Sequence, residues 1–506
     1  MKAAADCLSD LNVAISRDEL CAYPEQGPFN PSHNYPEYTL GPVSETRNGV
    51  YDAVREALAL LGMDQNNHGT PEWNPFGEIV KPGDTVAIKP NFVLSRHAED
   101  GDLFSVITHA SVLRAIVDYV YIALKGEGRV IIADSPQMDC NFTELLERTQ
   151  LASIVELYEK QRQFKIEIVD LRSFWLDKQA AASEGGGSGA KHRHPLPGDP
   201  LGSALINLGK ESLFFGKDNG KYYGADFDRD KTIEHHHGET HQYSVSKTIL
   251  SADVVILVPK LKVHKKVGAT LNVKGLVGIA TDKNHLIHYT LGTPAKGGDQ
   301  FPDRLLTKRQ ALRIKLQRWA FDKFLSKKTP IWDKVYKVAQ SLGHLLLRPL
   351  GVSVPAEKLL LDAGNWHGND SAWRMAVDLL RLFLYSDEEG TLQPQPVRRV
   401  FSIVDGIIGG ENNGPLTPDA KPCGLVIAGS NPCAVDLACL RLMGFDHGKI
   451  SIYEYALKHP DLFHADLEKI CSHANTEDQD VFGRQGRGFG FEPHPGWKGH
   501  IEKREE

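Results

Sequence analysis

The sequence predicts an α/β protein with mostly parallel, Rossmann-like sheets, flanking helices and one inserted basic helical segment. A strand, a helix and a second strand follow one another at residues 85–89, 109–124 and 129–133, and this order forms a βαβ unit in a parallel sheet. Residues 252–258 (ADVVILV) form an unbroken apolar run, as expected for a strand buried on both faces. Hydrophobic residues make up 41% of the 506-residue chain, which is enough for a substantial core.

The other elements follow from local patterns along the chain. Apolar residues recur at helical spacing in four further segments, 50–61, 142–158, 373–385 and 432–443. Short apolar runs predict further strands at 165–170, 203–208, 399–404 and 423–428. Residues 214–244 are polar and aromatic, and we expect them to be irregular. Ser430 or Asn431 can cap the last helix, because Pro432 then occupies its first position.

Composition divides the chain into six parts. They are an extended N-terminal arm (1–45), a first α/β part (46–180), a linker with the central site-bearing segment (181–303), an inserted helical hairpin (304–350), a second α/β part (351–475) and a flexible tail (476–506). The linker follows from the Gly/Ser-rich run at 180–189, and the hairpin from a long basic stretch at 304–347 with a helical pattern.

Charge and cysteine usage exclude several classes of protein. The net charge is −7, whereas nucleic-acid-binding proteins normally carry a basic excess, so we expect no nucleic-acid partner. The seven cysteines include no CxxC pair, so neither an iron–sulfur cluster nor a structural zinc knuckle is expected. The N-terminus lacks a signal-peptide pattern, and no apolar run approaches the ~20 residues of a membrane span. We therefore predict a cytoplasmic protein without a transmembrane span, and a homo-oligomer stays open.

Residues 259–289 have the composition of a site for an anionic small molecule. Lysines in this segment are compact charges suited to phosphate or carboxylate, and its glycines let the backbone approach a ligand closely. Its histidines can transfer protons near pH 7. Ligands of open α/β sheets bind outside the carboxyl ends of strands, and polar residues also follow the strands at 85–89 and 129–133.

These patterns yield a set of candidate site residues. The candidate catalytic residues are His264, Lys274, His285, Asp405 and Glu411. The candidate substrate-binding residues are Lys89, Asn91, His109, Asp134, Ser135, Lys260, Lys262, Asn272, His288, His367, Asn369 and Arg374. Asp436 lies in an otherwise apolar helix, which predicts a buried partner for its carboxylate.

Two segments are candidates for metal binding. His237 and His241 have the i, i+4 spacing that places two ligands on one helical face, although Gly238 weakens that helix and the motif is not HExxH. Asp405 and Glu411 lie in a predicted glycine-rich loop, residues 405–415, directly after a strand, and they suggest Mg²⁺ coordination or general-base catalysis. That segment matches neither a Walker loop nor a dinucleotide fingerprint. The alternatives are a polar loop and a tight structural turn, respectively.

The segment 365–374 is a candidate anion site at a helix N-terminus. Asp370 or Ser371 can cap the helix that follows, with Arg374 one turn inside it. Trp366 and the neighbouring asparagines would suit a sugar or another planar ligand. A capped surface helix without a ligand is the alternative.

The ordered set of motifs resembles the proteins of the domain of unknown function 362. The matching segments are VAIKPN (86–91), THA (108–110), IADSP (132–136), ADVVILVPKLKVH (252–264), NVKGLVG (272–278), IVDGIIGGENNGP (403–415) and NPCAVDLACLRLMG (431–444). The segments at 285–302 and 366–380 resemble a longer subgroup that often accompanies bacterial surface-polysaccharide genes. Some relatives carry an added ferredoxin-like cluster domain, whose cysteine spacing this chain lacks.

The segment 252–285 is also similar to a stretch of nickel-pincer lactate racemases. There a buried strand leads to a catalytic histidine, a cofactor-anchoring lysine and a metal-ligand histidine. His264, Lys274 and His285 occur in that order here, and His109 is a loose counterpart of another histidine. This similarity implies a racemase or epimerase with a lysine-anchored nickel cofactor.

Three functions therefore remain open. The first is an enzyme that acts on an anionic metabolite, phosphorylated or nucleotide-linked and with sugars among the candidates, using lysine contacts and histidine acid–base chemistry. Its cofactor is unidentified, and Mg²⁺ or Ni²⁺ are the candidate metals. The second is the nickel-pincer racemase or epimerase. The third is a non-catalytic binding or scaffold protein of surface-polysaccharide assembly, docked to a partner or an anionic membrane surface through residues 304–347.

Overall fold

The computed structural model describes residues 2–177, 193–217, 220–226, 228–320, 322, 354–463, 466–476 and 488–503. Its α-helices are Ala4–Ser9, Gly49–Leu60, Ala110–Leu124, Phe142–Thr149, Leu151–Arg162, Arg229–His235, Lys247–Leu250, Asn272–Gly275, Lys308–Ala320, Ala356–Leu359, Ala372–Tyr385, Pro432–Met443, Ser451–Lys458 and Pro460–Phe463. The ten strands of the main sheet are β1 Asn12–Arg17, β2 Thr85–Pro90, β3 Arg129–Asp134, β4 Ile166–Asp170, β5 Val254–Val258, β6 Lys260–His264, β7 Gly268–Ala269, β8 Arg399–Glu411, β9 Asp419–Gly429 and β10 Cys471–Ala474.

The parallel part of the main sheet has the Rossmann strand order. Its spatial order is β4–β3–β2–β5–β8, and neighbouring strands run parallel throughout. In chain order this is 3-2-1-4-5, so the direction in which strands are added reverses between β2 and β5. Ligands of such sheets bind outside the carboxyl ends of the strands at this switch point. The predicted mostly parallel α/β fold is thus confirmed.

The sheet continues beyond β8 as an antiparallel edge. β9 pairs antiparallel with β8 and β1, and β10 closes this edge by pairing parallel with β1. The predicted N-terminal arm therefore contains a strand of the main sheet. The two predicted α/β parts and the central segment between them all contribute strands to this one sheet.

Helices cover both faces of the sheet because its strands are apolar on both sides. Along β2, Val86 and Ile88 pack in one core with helices Gly49–Leu60 and Ala110–Leu124. Ala87 points to the other core, which contains helices Ala372–Tyr385 and Pro432–Met443. Small antiparallel sheets extend the second side; their strands are Ser203–Asn207 with Thr240–Ser246 and His236–His237, Tyr222–Tyr223 with Tyr289–Thr290, and Phe174–Leu176 with Arg193–Pro195.

The glycine-rich segment was predicted to be a loop, and this is wrong for residues 405–411. β8 runs unbroken from Arg399 to Glu411 and pairs with β9 from Ser402 to Glu411, with an irregularity near Gly406. The glycines permit close packing: an added Cβ would lie 2.6 Å from the Phe491 ring at Gly409 and 2.5 Å from the Ser105 carbonyl oxygen at Gly410.

Three other predictions differ from the structure. The helix predicted at 142–158 is two helices, because Gln150 between them has a left-handed φ of +54°. Residues 214–244, predicted to be irregular, contain helix Arg229–His235 and a β-hairpin. Residues 488–503 of the tail pack on the protein and bury Phe491, Trp497 and Ile501, whereas 477–487 lie outside the described residues.

The basic insertion is described only at its start. Helix Lys308–Ala320 belongs to it, and most of the remaining hairpin prediction lies outside the described residues, as does the predicted linker at 180–189. Among the helices that the structure describes, none combines the length and apolar character needed to cross a membrane.

Candidate functional site

A pocket of about 330 Å³ lies at the switch point of the sheet. It opens beyond the carboxyl ends of β2, β3 and β6, where open α/β sheets bind ligands. Seven of the predicted site residues line it: Lys89, Asn91, Asp134, Ser135, His264, Lys274 and His288.

An ion pair between β2 and β3 forms one wall of the pocket. Lys89 Nζ lies 2.8 Å from Asp134 Oδ1 and also donates to the carbonyl of Pro90 at 2.8 Å. The other carboxylate oxygen of Asp134 accepts the Phe92 backbone N–H at 2.7 Å. Gly278 packs directly on this pair, since an added Cβ would lie 2.0 Å from Asp134 Oδ1. The pocket wall is therefore rigid, and its single carboxylate is already neutralised.

Three more buried lysines line the pocket. Lys283 Nζ donates to the carbonyls of Ser135 at 2.8 Å and Val277 at 3.1 Å. Lys266 Nζ donates to Asn365 Oδ1 at 3.0 Å and to the Ala363 carbonyl. In the part of the chain that the structure describes, no group accepts a hydrogen bond from Lys274.

Burial lowers the pKa of each of these three ammonium groups. The pKa of Lys266 and that of Lys283 fall to about 7, and that of Lys274 falls to about 8. Loss of hydration is the main cause in each case, and repulsion from neighbouring lysines adds to it. A bound anion would supply the missing negative charge and favour the protonated form of all three.

The two histidines of the pocket present opposite hydrogen-bonding groups. His264 Nδ1 accepts the Lys266 backbone N–H at 3.0 Å, so the proton of the neutral ring resides on Nε2. His288 Nδ1 donates to the Leu286 carbonyl at 2.9 Å, so its Nε2 is unprotonated. Burial, and then the charge of Lys274, hold the pKa of both rings well below its usual value. The pocket thus contains one neutral imidazole donor and one acceptor.

Several buried polar atoms of the pocket wall lack a protein partner among the described residues. They are Asn91 Oδ1, Ser135 Oγ and Thr270 Oγ1. Buried polar groups are normally hydrogen-bonded, so unpaired ones in a pocket indicate groups that a ligand or water satisfies.

Asp436 holds the turn that presents Lys274. Its carboxylate accepts the backbone N–H groups of Asn272 at 2.8 Å and Val273 at 3.0 Å, the Asn272 amide at 2.8 Å and the Tyr453 hydroxyl at 3.0 Å. The predicted buried partner of Asp436 is therefore present. Asn272, predicted to bind substrate, is instead turned toward Asp436 and does not line the pocket.

A second polar cluster lies in the core beside β6 and β8. Lys260 and Asp405 are opposite each other in the strand register, and Lys260 Nζ lies 3.1 Å from Asp405 Oδ1. Tyr23 donates to the same carboxylate at 2.5 Å, and its ring stacks on His109 at 4.1 Å. Lys262 donates to backbone carbonyls. None of these predicted site residues lines the pocket.

The predicted metal ligands are not brought together. Asp405 is paired with Lys260, and Glu411 lies six residues along the same strand, 2.9 Å from Lys421. The helix ends at His235, and Gly238, with a φ of +56°, lies in the turn of the hairpin that follows. His237 and His241 therefore lie on opposite strands of this hairpin, the first exposed and the second buried. Across the described ranges, no three His, Cys, Asp or Glu side chains cluster as metal ligands do.

The remaining predicted residues lie outside the pocket. The His285 ring faces His235, with centroids 3.9 Å apart, and its pKa falls to about 4 mainly through burial. His367 stacks on His500 at 4.1 Å, and Arg374 pairs with Asp370 at 2.8 Å. Asn369, and not Asp370 or Ser371, accepts the first N–H groups of helix Ala372–Tyr385.

Asn369 also contributes indirectly to the pocket. Its amide donates to the backbone carbonyl of His288 at 3.0 Å, so it positions a residue that lines the site. Lys266, Lys283, Thr270 and Tyr289 line the pocket and were not among the predicted site residues. All four lie within residues 259–289, the segment predicted to bind a ligand from its lysines and histidines. Their position in that segment was the signal that could have identified them.

A comparison with known protein families identifies the family of this chain. The model of a family described as Domain of unknown function (DUF362) matches residues 86–175 and 204–441. The chain belongs to this family. The matched DUF362 segments contain all the pocket lysines and both pocket histidines.

Other comparisons add no functional information about this DUF362 chain. No curated protein matches it. A crystal structure of a protein from Thermotoga maritima is similar at 11% identity and a TM-score of 0.30, with 79% of this chain covered. The DUF362 chain spans 60% of that protein's length.

Proposed function

We propose that this protein is an enzyme that binds an anionic small metabolite in the switch-point pocket, with His288 as the group that moves protons and His264 as a hydrogen-bond donor to the reacting oxygen. The charge balance of the pocket is the observation that carries this proposal. Four buried lysines line it, and the one carboxylate among the lining residues, Asp134, is already paired with Lys89. Uncompensated buried ammonium groups are costly, and an anionic ligand removes that cost.

Two of the buried lysines, Lys266 and Lys283, are placed to bind the anionic group of the ligand. Lys266 and Lys283 each hold two protein acceptors, which leaves each ammonium one N–H for a ligand. Because those acceptors fix the position of the charge, a carboxylate or phosphate group meets a preorganised site. Among described residues, Asn91, Ser135 and Thr270 offer unpaired oxygen atoms for the hydroxyl groups of the same ligand.

Acid–base chemistry follows from the two imidazoles. His264 can donate a hydrogen bond from Nε2–H to an oxygen atom that gains negative charge, while His288 can accept a proton on Nε2 and pass it on. Their opposite tautomers allow one ring to stabilise the developing charge and the other to act as the base in the same turnover. His285, the other predicted acid–base residue, lies outside the pocket and has no part in this proposal.

Replacing Lys283 by methionine is expected to weaken the binding of citrate and of glucose 1-phosphate about tenfold, which corresponds to ~1.4 kcal/mol. The loss arises because one of the fixed positive charges is removed from the pocket. Isothermal titration calorimetry at pH 6.5 measures both affinities. Lys160→Met is the matched control, since Lys160 is exposed on helix Leu151–Arg162 and its loss should leave affinity unchanged. Equal affinities for wild type and Lys283→Met, or binding of neutral glucose as tight as that of its phosphate, would contradict the proposal.

The enzymatic part of the proposal is tested with a metabolite extract of the host. Mass spectrometry should show at least one anionic compound that wild-type protein consumes and that the folded His264→Gln variant leaves intact. Removing a general acid or base typically slows turnover by about 10²–10⁴-fold. Normal consumption by His264→Gln and His288→Gln would show that these imidazoles do not catalyse the reaction.

The nickel-pincer racemase is a second candidate, favoured by the unpartnered Lys274 amine next to His264 in the described pocket. The intact mass of protein isolated from its own host distinguishes the two, because a lysine-anchored cofactor adds mass at Lys274. Unmodified protein with full activity would exclude the racemase.

A further inference from the structure

Lys274 differs from every other buried lysine of the pocket. Lys89, Lys266 and Lys283 each donate to two protein acceptors, whereas within the described residues Lys274 donates to none. Its Nζ is therefore not fixed as a counterion to the protein, and it faces the pocket. The proposed function assigns the anion to Lys266 and Lys283, so Lys274 is available for another role.

The surroundings of Lys274 keep its amine reactive. The turn Asn272–Gly275 is tied to Asp436 through both backbone and side chain, which sets the starting point of the Lys274 side chain. Burial, and then repulsion from the Lys89 charge, lower the pKa of Lys274 to about 8. A substantial fraction of the amine is thus neutral and nucleophilic near physiological pH, as in enzymes that use a desolvated lysine beside another cation.

We propose that Lys274 is a covalent catalyst, whose amine condenses with the ketone or aldehyde carbonyl of an anionic substrate to form an imine. This inference rests on the proposed function, because the anionic group of the substrate must first be held by Lys266 and Lys283. It narrows the substrate class to small molecules that carry both a carbonyl group and a carboxylate or phosphate.

The proton movements of this step match the two imidazoles. The Lys274 nitrogen attacks the carbonyl carbon, and His288 Nε2 takes one amine proton and passes it to the carbonyl oxygen, which gives the neutral carbinolamine. His288 Nε2 then moves the remaining nitrogen proton to the carbinolamine hydroxyl, which leaves as water as the C=N bond forms, while His264 Nε2–H donates a hydrogen bond to that oxygen. One amine and one carbonyl thus give one imine and one water, with no oxidant or reductant involved. Ser135 and Thr270, whose hydroxyl oxygens have no partner in the described chain, can bind the departing water.

Borohydride trapping tests the proposal directly. Pyruvate, 2-oxoglutarate and dihydroxyacetone phosphate serve as probes, each incubated with the full chain at pH 8 and then reduced with sodium borohydride. We expect at least one probe to give a single covalent adduct per chain, which peptide mass spectrometry locates at Lys274. Excess citrate, which competes for the anion-binding lysines, should prevent the adduct.

Three variants make the outcome decisive. Lys274→Arg keeps the positive charge but cannot form a reducible imine, so it should bind citrate and give no adduct. Lys274→Met should also give none, while Lys160→Met should give the wild-type amount. Absence of any adduct, an adduct that persists in Lys274→Arg, or labelling spread over surface lysines would overturn the imine. Citrate binding without an adduct rejects the imine and leaves the proposed function intact, whereas loss of citrate binding by wild type rejects both.

Discussion

Replacing Asp436 by alanine is expected to lower the free energy of unfolding by about 3–5 kcal/mol. The substitution leaves two buried backbone N–H groups, of Asn272 and Val273, without their acceptor, together with the Asn272 amide and the Tyr453 hydroxyl. Each unsatisfied buried group costs about 1–3 kcal/mol, and partial relaxation of the turn keeps the total below the simple sum. Urea denaturation followed by circular dichroism measures the loss.

The same substitution should also act on the pocket. Because Asp436 holds the turn Asn272–Gly275, its removal frees Lys274 and should abolish the borohydride adduct even where the protein remains folded. Asp436→Asn is the matched control. It keeps the shape and one acceptor oxygen, so we expect a smaller loss of stability and a residual adduct. An Asp436→Ala variant as stable as wild type would show that Asp436 does not anchor the turn.

The free protein is expected to become more stable by about 2–4 kcal/mol as the pH rises from 7 to 8.5. Lys266, Lys274 and Lys283 have pKa values of about 7, 8 and 7 in the folded chain and the usual value of 10.5 when unfolded. Between these values the unfolded chain binds more protons than the folded one, so stability rises with pH. Below pH 7 the lysines are charged in both states, and the full cost of burying that charge is present.

Two further lysines act in the same window, because burial lowers the pKa of Lys260 and lowers that of Lys262 well below its usual value.

The remaining titrating groups act mainly outside this window. Burial raises the pKa of Asp436 to about 7 and that of Asp378 to about 6, and their effect on the slope is nearly complete by pH 7.5. Burial also raises the pKa of Cys433 and Cys439, and this reduces stability only once unfolded thiols ionise near pH 9. Thermal or urea unfolding between pH 7 and 8.5 therefore reports on the buried lysines, and the share of the pocket lysines is the part that a bound anion or their substitution removes.

Two comparisons assign the pH effect to the pocket. Saturating citrate should flatten the profile, because a bound anion keeps the lysines protonated in the folded chain. The double variant Lys266→Met with Lys283→Met should also flatten it, since two of the three groups are gone. A steep rise in stability that survives both changes would show that these lysines are not the source.

Local patterns predicted most elements of the fold correctly. The apolar run at 252–258 and the cap at Asn431 with Pro432 depend only on neighbouring residues, and both are observed. By contrast, β8 continues through Gly406, Gly409 and Gly410, which have no strand pattern of their own. Their conformation depends on β9, which follows them after a turn, and such a non-local effect does not show in a single segment.

The sequence predicted the location of the site better than the identity of the residues that line it. Residues that follow β2 and β3 converge because parallel strands end at the same edge, so Lys89, Asn91, Asp134 and Ser135 were predictable. Within 259–289, composition identified the segment but not the direction of each side chain. Asn272 and His285 therefore looked equivalent to Lys274 and His288, although the fold turns only the latter pair into the pocket.

The position of β1 has a consequence for how the chain is made. The partners of Asn12–Arg17, which are Asp419–Gly429 and Cys471–Ala474, lie about 400 or more residues later in the chain and leave the ribosome correspondingly later. At synthesis rates of about 5–20 residues per second, roughly 20–80 seconds pass before the nearer partner is available. During that time the apolar residues Val13, Ala14 and Ile15 stay without their final neighbours. Growth temperature and the supply of chaperones during expression should therefore govern the soluble yield of this protein.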